Sequence, residues 1–224
     1  MFNIKQVFNF APHFIQFAMT DKKEHIINNA VELFAEKGFE GTSIRDLAAK
    51  AGVNVAMVNY YFGSKEKLFE SMLALKSSYT RGVLDEIAKN NTITHIEKID
   101  LVIDNHINKL FLNRKFHRVI HQELMLSKRE SLQQAIVDIL YPNSLIIRGI
   151  IEAGIKKGVF KKVDPPLVIA TLTGTINQVL LSKKMCNKLL NKEEDYVPYE
   201  DVKFRKRVAD HLKQVMHSHL LIQS

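Results

Sequence analysis

His117 and His121 stand four residues apart, the spacing that puts two imidazoles on one helix face where they could ligate a metal ion. A site needs a third ligand at matching spacing, and none follows, so no metal is expected. His106 falls on the Ile96, Ile99, Ile103, Leu110 face, and Glu123 flanks the Phe116, Val119, Ile120, Leu124 face of the next helical pattern. Meeting inside a domain, this pair would form either a satisfied core contact or polar anchors for a small ligand. Phe111, Met125 and Tyr141 are the apolar candidates to line such a cavity, with core packing as the alternative. Arg148 and Glu152, four apart, read as a simple ion pair. Cys186, the sole cysteine, lacks a His or basic neighbour that would activate it, and one cysteine excludes disulfide scaffolds and paired-cysteine zinc sites. No glycine-rich phosphate loop, nucleophile elbow or His-Glu-x-x-His occurs, so neither an enzyme nor a resident cofactor is expected.

The elements that must position these groups are helical throughout: strand-like alternation is nearly absent, while apolar residues recur three and four apart. Thr20 or Asp21 caps a first helix that runs through Ile26, Ala30, Leu33 and Phe34 to a stop at Gly38. Two short patterns then flank Ala51-Gly52-Val53-Asn54, the glycine-containing turn of a helix-turn-helix. Ile44, Leu47, Ala48 and Ala51 form one inward face, and Val58 with Phe62 forms the other. Ser43-Ile44-Arg45-Asp46 fits a capping box, Asn54 is a good cap for the second helix, and Ser64 caps a third. Breaks are expected at Asn90-Asn91-Thr92, Asn113-Arg114-Lys115, Pro142 and Pro165-Pro166, giving nine or ten helices.

Residues Ala30 to Ala48 (AVELFAEKGFEGTSIRDLA), then Ala51-Gly52-Val53, then Tyr60-Tyr61-Phe62-Gly63-Ser64-Lys65-Glu66-Lys67-Leu68, resemble the DNA-binding domain of the TetR family of bacterial transcriptional regulators. The likeness covers nearly all of residues 21–70 in order. It implies an all-α protein: a three-helix head over residues 20–70, and a larger helical ligand-binding and dimerisation domain over 71–224. Residues 1–19 remain as an N-terminal extension of doubtful role, because Met19 is an alternative start. By resemblance, residues 55–62 form the recognition helix that enters the major groove. Thr42, Ser43, Arg45 and Lys65 then match positions that meet phosphates, beside the capped turn at Asn54, as free N–H groups at helix N-termini favour anions. Tyr60 and Tyr61 match positions on the sugar-phosphate backbone; Val55, Ala56, Met57 and Asn59 match those facing base edges. Many relatives carry polar residues in place of Val55 and Met57 and Tyr in place of Asn59. Readout here would rest on thymine methyls plus an Asn59 amide paired with adenine, unless Val55 and Met57 merely pack against neighbours.

For the remaining chain, helical faces carry the reading. Residues 167–181 are apolar nearly all round, and Val208, Leu212, Val215, Met216 and Leu220 form a stripe. Two such helices per subunit, at about 166–186 and 200–221, could form a four-helix two-fold seam, or could finish the monomer core. The functional expectation is a cytoplasmic homodimer that represses from a palindromic DNA operator until an unknown small-molecule effector enters the second domain. The rival is a helical small-molecule or lipid-binding protein with a vestigial head, which the intact caps and turn oppose. A third, a membrane-surface protein anchored by the Phe-rich first eighteen residues, has no membrane-spanning or secretory pattern behind it.

Composition bounds these readings. The 224 residues are 46% hydrophobic and 25% charged, sufficient for a soluble core, with a net charge of +8. That charge suggests a polyanionic partner, yet residues 20–70 hold seven basic and eight acidic side chains. The excess sits in residues 71–224, so DNA binding by the head must rest on placed helix ends and a few cations.

Overall fold

A computed structural model of the chain describes residues 21–126 and 129–222. The N-terminal extension expected at 1–19 lies outside them. Ten α-helices are present among the described residues: α1 (Asp21–Lys37), α2 (Ile44–Lys50), α3 (Val55–Phe62), α4 (Lys65–Lys89), α5 (His95–Leu112), α6 (Arg114–Leu126), α7 (Glu130–Lys156), α8 (Pro165–Leu181), α9 (Lys183–Leu189) and α10 (Val202–Leu220). The all-α expectation holds.

Side-chain caps start most of them. Ser43, Asn54, Ser64, Thr94, Asp164, Ser182 and Asp201 each accept a backbone N–H one turn into their helix, satisfying a donor the helix leaves orphaned. Pro165 and Pro166 sit in the first turn of α8, where a missing N–H costs nothing.

Pro142 contradicts the expected break: it lies inside the continuous α7. Its ring removes the N–H that would bond the Asp138 carbonyl and crowds the preceding turn. Relief comes from α4. The neighbouring Ile139 carbonyl accepts the Ser77 hydroxyl at 3.0 Å and an Arg81 N–H at 3.3 Å. Asn143 in turn donates to Ser77 Oγ at 3.0 Å, so α4 and α7 share a polar staple across the proline.

Two cores divide the molecule. In the head, Phe34, Phe39 and Phe69 make a ring cluster with centroids 5.4–5.5 Å apart, ringed by Ile26, Leu47 and Val58. In the body, Leu84, Ile99, Ile103, Ile151, Leu172 and Leu212 belong to a second cluster. α4 spans both, giving Phe69 and Met72 to the head and Leu84 and Ile87 to the body. α7 ends at a close approach: a Cβ on Gly154 would stand 2.2 Å from the Phe160 ring.

The head core is not closed by residues 20–70 alone. Phe116, Val119 and Ile120 of α6, with Leu132 and Ile136 of α7, complete it. Ile120, expected in a ligand cavity, therefore packs against the head.

Candidate nucleic-acid interface

Locally, the helix-turn-helix forms as its caps dictate. Ser43 and Asp46 make a reciprocal box, with Ser43 N–H donating to Asp46 Oδ2 at 2.9 Å and Asp46 N–H to Ser43 Oγ at 3.1 Å. The Ser43 contacts, and then Lys37 at 2.9 Å, hold the Asp46 carboxyl well below the usual carboxylate range. Gly52, at φ +64°, supplies the left-handed turn residue. Asn54 then accepts Met57 N–H at 2.7 Å and starts α3.

Within α3, Val58 and Phe62 are buried and Met57 is half-buried. Val55, Ala56, Asn59 and Tyr60 are exposed, Tyr60 at 83%. Positions 55 and 59, like 56 and 60, are one helical turn apart, so these four share one outward face. That face offers an amide, a phenol and small apolar groups, matched in size to base edges and thymine methyls. The half-buried Tyr61 packs edge-on against Tyr60 at 5.4 Å, which orients the phenol beside that face.

The phosphate side is narrower than its sequence suggests. Arg45 is exposed beside the N-terminus of α2, whose first N–H groups have no intrahelical acceptor. Thr42, in contrast, is 1% exposed, and its hydroxyl donates to the Gly38 carbonyl at 2.7 Å. It builds the α1–α2 loop rather than facing solvent. The Lys65 ammonium is likewise turned inward, donating to the Phe39 carbonyl at 2.9 Å and lying 4.3 Å from the Phe39 ring centre. At the start of α4, Glu66 accepts its own backbone N–H and the Ser64 hydroxyl, which lowers its pKa and places a resident anion there. A phosphate contact by Lys65 must first break the Phe39 bond.

The other candidate residues disperse. Leu110 and Phe111 lie in the body core. Met125 and Tyr141 are 72% and 54% exposed, so neither lines an internal cavity. Glu123 does not meet His106: it binds Arg129 at 2.7 Å. Arg148 and Glu152 form the expected ion pair at 2.6 Å. Cys186 is buried, and desolvation pushes its thiol up, away from reactivity. Among the described residues, no three His, Cys or acidic groups could hold a metal ion, and no helix is long and apolar enough to cross a membrane.

Sequence reasoning missed the groups that fasten this head to its body. Arg118 of α6 donates to the Ala35 carbonyl at 2.7 Å. Arg129 binds Glu40 and Glu123, and its guanidinium lies 4.2 Å from the Phe39 ring centre. The Ala35 and Glu40 partners are 83 and 89 residues away in sequence, beyond the reach of any periodicity.

A capped helix-turn-helix with one solvent-facing recognition surface, set on a helical body, defines a DNA-binding regulator. Comparison with known proteins names the family. Residues 26–72 match the model described as bacterial regulatory proteins, tetR family, and residues 77–191 match that of the YsiA-like protein, C-terminal region. The chain belongs to the TetR family of transcriptional regulators. It is 32% identical over 160 residues to the fatty acid metabolism regulator protein of Bacillus subtilis, a match covering 71% of this chain and 81% of that one. Over 62 residues it is 34% identical to the biofilm operon icaADBC negative transcriptional regulator IcaR of Staphylococcus aureus, covering 28% and 33% of the two chains. The structure of the regulator FadR from Bacillus subtilis in complex with stearoyl-CoA superposes with a TM-score of 0.68 at 26% identity, covering 84% of this chain and 96% of that one.

Proposed function

We propose that this regulator is a cytoplasmic homodimeric repressor that leaves a near-palindromic operator when a long-chain acyl compound enters its helical body. The exposed face of Val55, Ala56, Asn59 and Tyr60, on a helix whose start is capped by Asn54, carries the DNA-binding part. Nothing in that arrangement resembles a drifting, vestigial head. The acyl part rests on likeness to the fatty acid metabolism regulator and to FadR, whose structure holds stearoyl-CoA. Repression rests on IcaR, named a negative regulator.

Effector action needs no chemistry on the ligand, so the reading requires neither an enzyme activity nor a resident cofactor. Release is a population shift: the effector must bind the arrangement of heads that misfits DNA more tightly than the one that fits. Two-fold symmetry sets the half-sites about one helical turn, or a small multiple, apart.

The dimer uses the far side of α8. Val168, Leu172 and Ile176 are buried in the subunit's own core, leaving Leu167, Ala170, Thr171 and Gly174 as an exposed, mostly small-residue face that admits close helix approach. Beside it, α8, α9 and α10 enclose an apolar groove of about 290 Å³, lined by Val179, Cys186, Leu189, Phe204 and Val208. The stripe expected to make α10 part of the seam is spent internally: Val208, Leu212, Met216 and Leu220 all lie in the body core.

A gel shift on DNA upstream of its own gene, with and without stearoyl-CoA or stearate, tests both halves. Sequence-specific retardation relieved by either is expected. No retardation rejects the regulator reading, and retardation indifferent to both stearoyl-CoA and stearate rejects the acyl effector.

A further inference from the structure

Where α5 meets α6, His106, Lys109, His117 and His121 lie near enough for charge on one to act on another, and no carboxylate is among the groups acting on His106, Lys109 or His117. His106 is half-buried, and its Nε2 is shielded from solvent with no hydrogen-bond partner. Lys109, three residues further along α5, has its Nζ equally shielded and equally without an acceptor. Across the corner, α6 contributes His117 and, four residues on, His121, both half-buried. The charges acting on His106 are Lys109 and His121; those acting on His117 are His106, His121 and Lys109. Acids in neighbouring positions are committed elsewhere: Asp104 to Lys213, Asp100 to His217, and Glu123 to Arg129.

An apolar contact between two helices has no use for such groups. Buried donors in proteins are almost always satisfied, and each orphan costs free energy. Burial drives His106 down to about 4 and His117 to about 3, so both imidazoles are neutral, and lowers Lys109 only to about 8, which leaves its ammonium charged at neutral pH with no acceptor. The absent partner is an acceptor carrying negative charge. Among the described residues no three His, Cys or acidic groups are placed together to hold a metal ion.

We infer that His106 and Lys109, with His117 and His121 opposite them, form a binding site for the oxyanion of an organic acid, the carboxylate at the end of an acyl chain. The apolar neighbours Ile103, Leu110 and Phe111 of α5 suit the chain that carries it. The site rests on the reading that an acyl effector enters the body, and adds that its anchor is a free carboxylate. Binding recharges the cluster, so the protein takes up protons as the anion enters. The same α6 holds the head through Phe116, Val119, Ile120 and Arg118, which puts the anion one helix away from the DNA-binding unit.

Calorimetric titration of the full chain with decanoate, decanol and inorganic phosphate, at pH 6.5 and 9.0, tests this. Decanoate should bind at least tenfold more tightly than decanol at pH 6.5. The ratio should shrink at pH 9.0, and the heat should vary with buffer ionisation as protons are absorbed. Lys109→Met and His106→Gln should bring decanoate to the level of decanol, whereas Lys109→Arg should keep the difference, with circular dichroism verifying the fold of each. Phosphate binding lost in Lys109→Met supports the oxyanion site but assigns it to a free anion instead of an acyl carboxylate. Equal binding of decanoate and decanol with no phosphate bound, or a decanoate advantage retained in Lys109→Met, overturns the site. Stearate releasing operator equally from wild type and Lys109→Met would leave the acyl effector standing and remove the site. Stearate and stearoyl-CoA both inactive on wild type would remove that effector, while the decanoate and phosphate titrations still decide the site.

Discussion

Asn54 and Asn59 lie five residues apart and do different work. The Asn54 oxygen is engaged by the Met57 N–H, so its substitution acts on the start of α3, whereas the Asn59 amide is exposed on the recognition face. Asn59→Ala should weaken a preferred operator by roughly 1 to 3 kcal/mol at a single A·T position and leave the salt dependence unchanged. Arg45→Ala should instead weaken all sequences and lower the salt slope by about one, which fluorescence anisotropy across a salt series separates. Lys65 divides the outcomes in another way. Because its ammonium holds the Phe39 carbonyl, Lys65→Met should cost about 1 to 2 kcal/mol of stability in a urea melt, with the salt slope intact. An intact melt with a reduced slope would mean that Lys65 swings out to a phosphate. The capping box, the turn and the inward faces are legible in the sequence because each is written within about twenty residues. The inward turn of Thr42 and Lys65 is not, since spacing places a residue on a helix end without saying which carbonyl its side chain will find.

Among the elements, α6 carries the coupling. It lends Phe116, Val119 and Ile120 to the head core, ties Ala35 through Arg118, and carries His117 and His121 beside His106 and Lys109 of α5. Arg118→Met keeps the aliphatic stem but removes a charge-assisted hydrogen bond worth roughly 1.5 to 3 kcal/mol. Operator affinity without effector should stay within about threefold, while the concentration of effector needed for release rises, because head and body then move less as one piece. Unchanged release in a gel-shift titration would assign the coupling to the apolar contacts alone. Long-range partners also explain two places where periodicity and structure part. Pro142 reads as a helix stop because its cost is local, while its relief comes from Ser77 and Arg81 about sixty residues earlier. Periodicity pairs Glu123 with His106 because it assigns a residue only to a face, yet Arg129, after the next corner, reaches Glu123 first.

At the scale of the molecule, two half-buried histidines held neutral make the fold acid-sensitive. His106 and His117 titrate near 4 and 3 in the folded protein against 6.5 unfolded, so below about pH 6.5 the unfolded chain binds more protons. Stability is therefore lost as pH falls toward the folded values, by about 2 kcal/mol per histidine between pH 7.5 and pH 5. Urea melts at those two pH values should show this fall, reduced in His106→Gln. The dimer is tested at a position that the subunit leaves open. Gly174 lies on the exposed side of α8, where an added Cβ would meet nothing within 4 Å. Gly174→Arg should therefore leave the subunit fold intact, its helix gaining up to about 1 kcal/mol of propensity, while a guanidinium blocks close approach of a second α8. Sedimentation should show monomers. Operator binding should fall at least a hundredfold, because two heads that are no longer tied lose the effective concentration that makes the second half-site an intramolecular event. A Gly174→Arg protein that remains dimeric would move the interface to the apolar groove beside Leu189 and Phe204, on the same side of the body but with α9 and α10 as its walls.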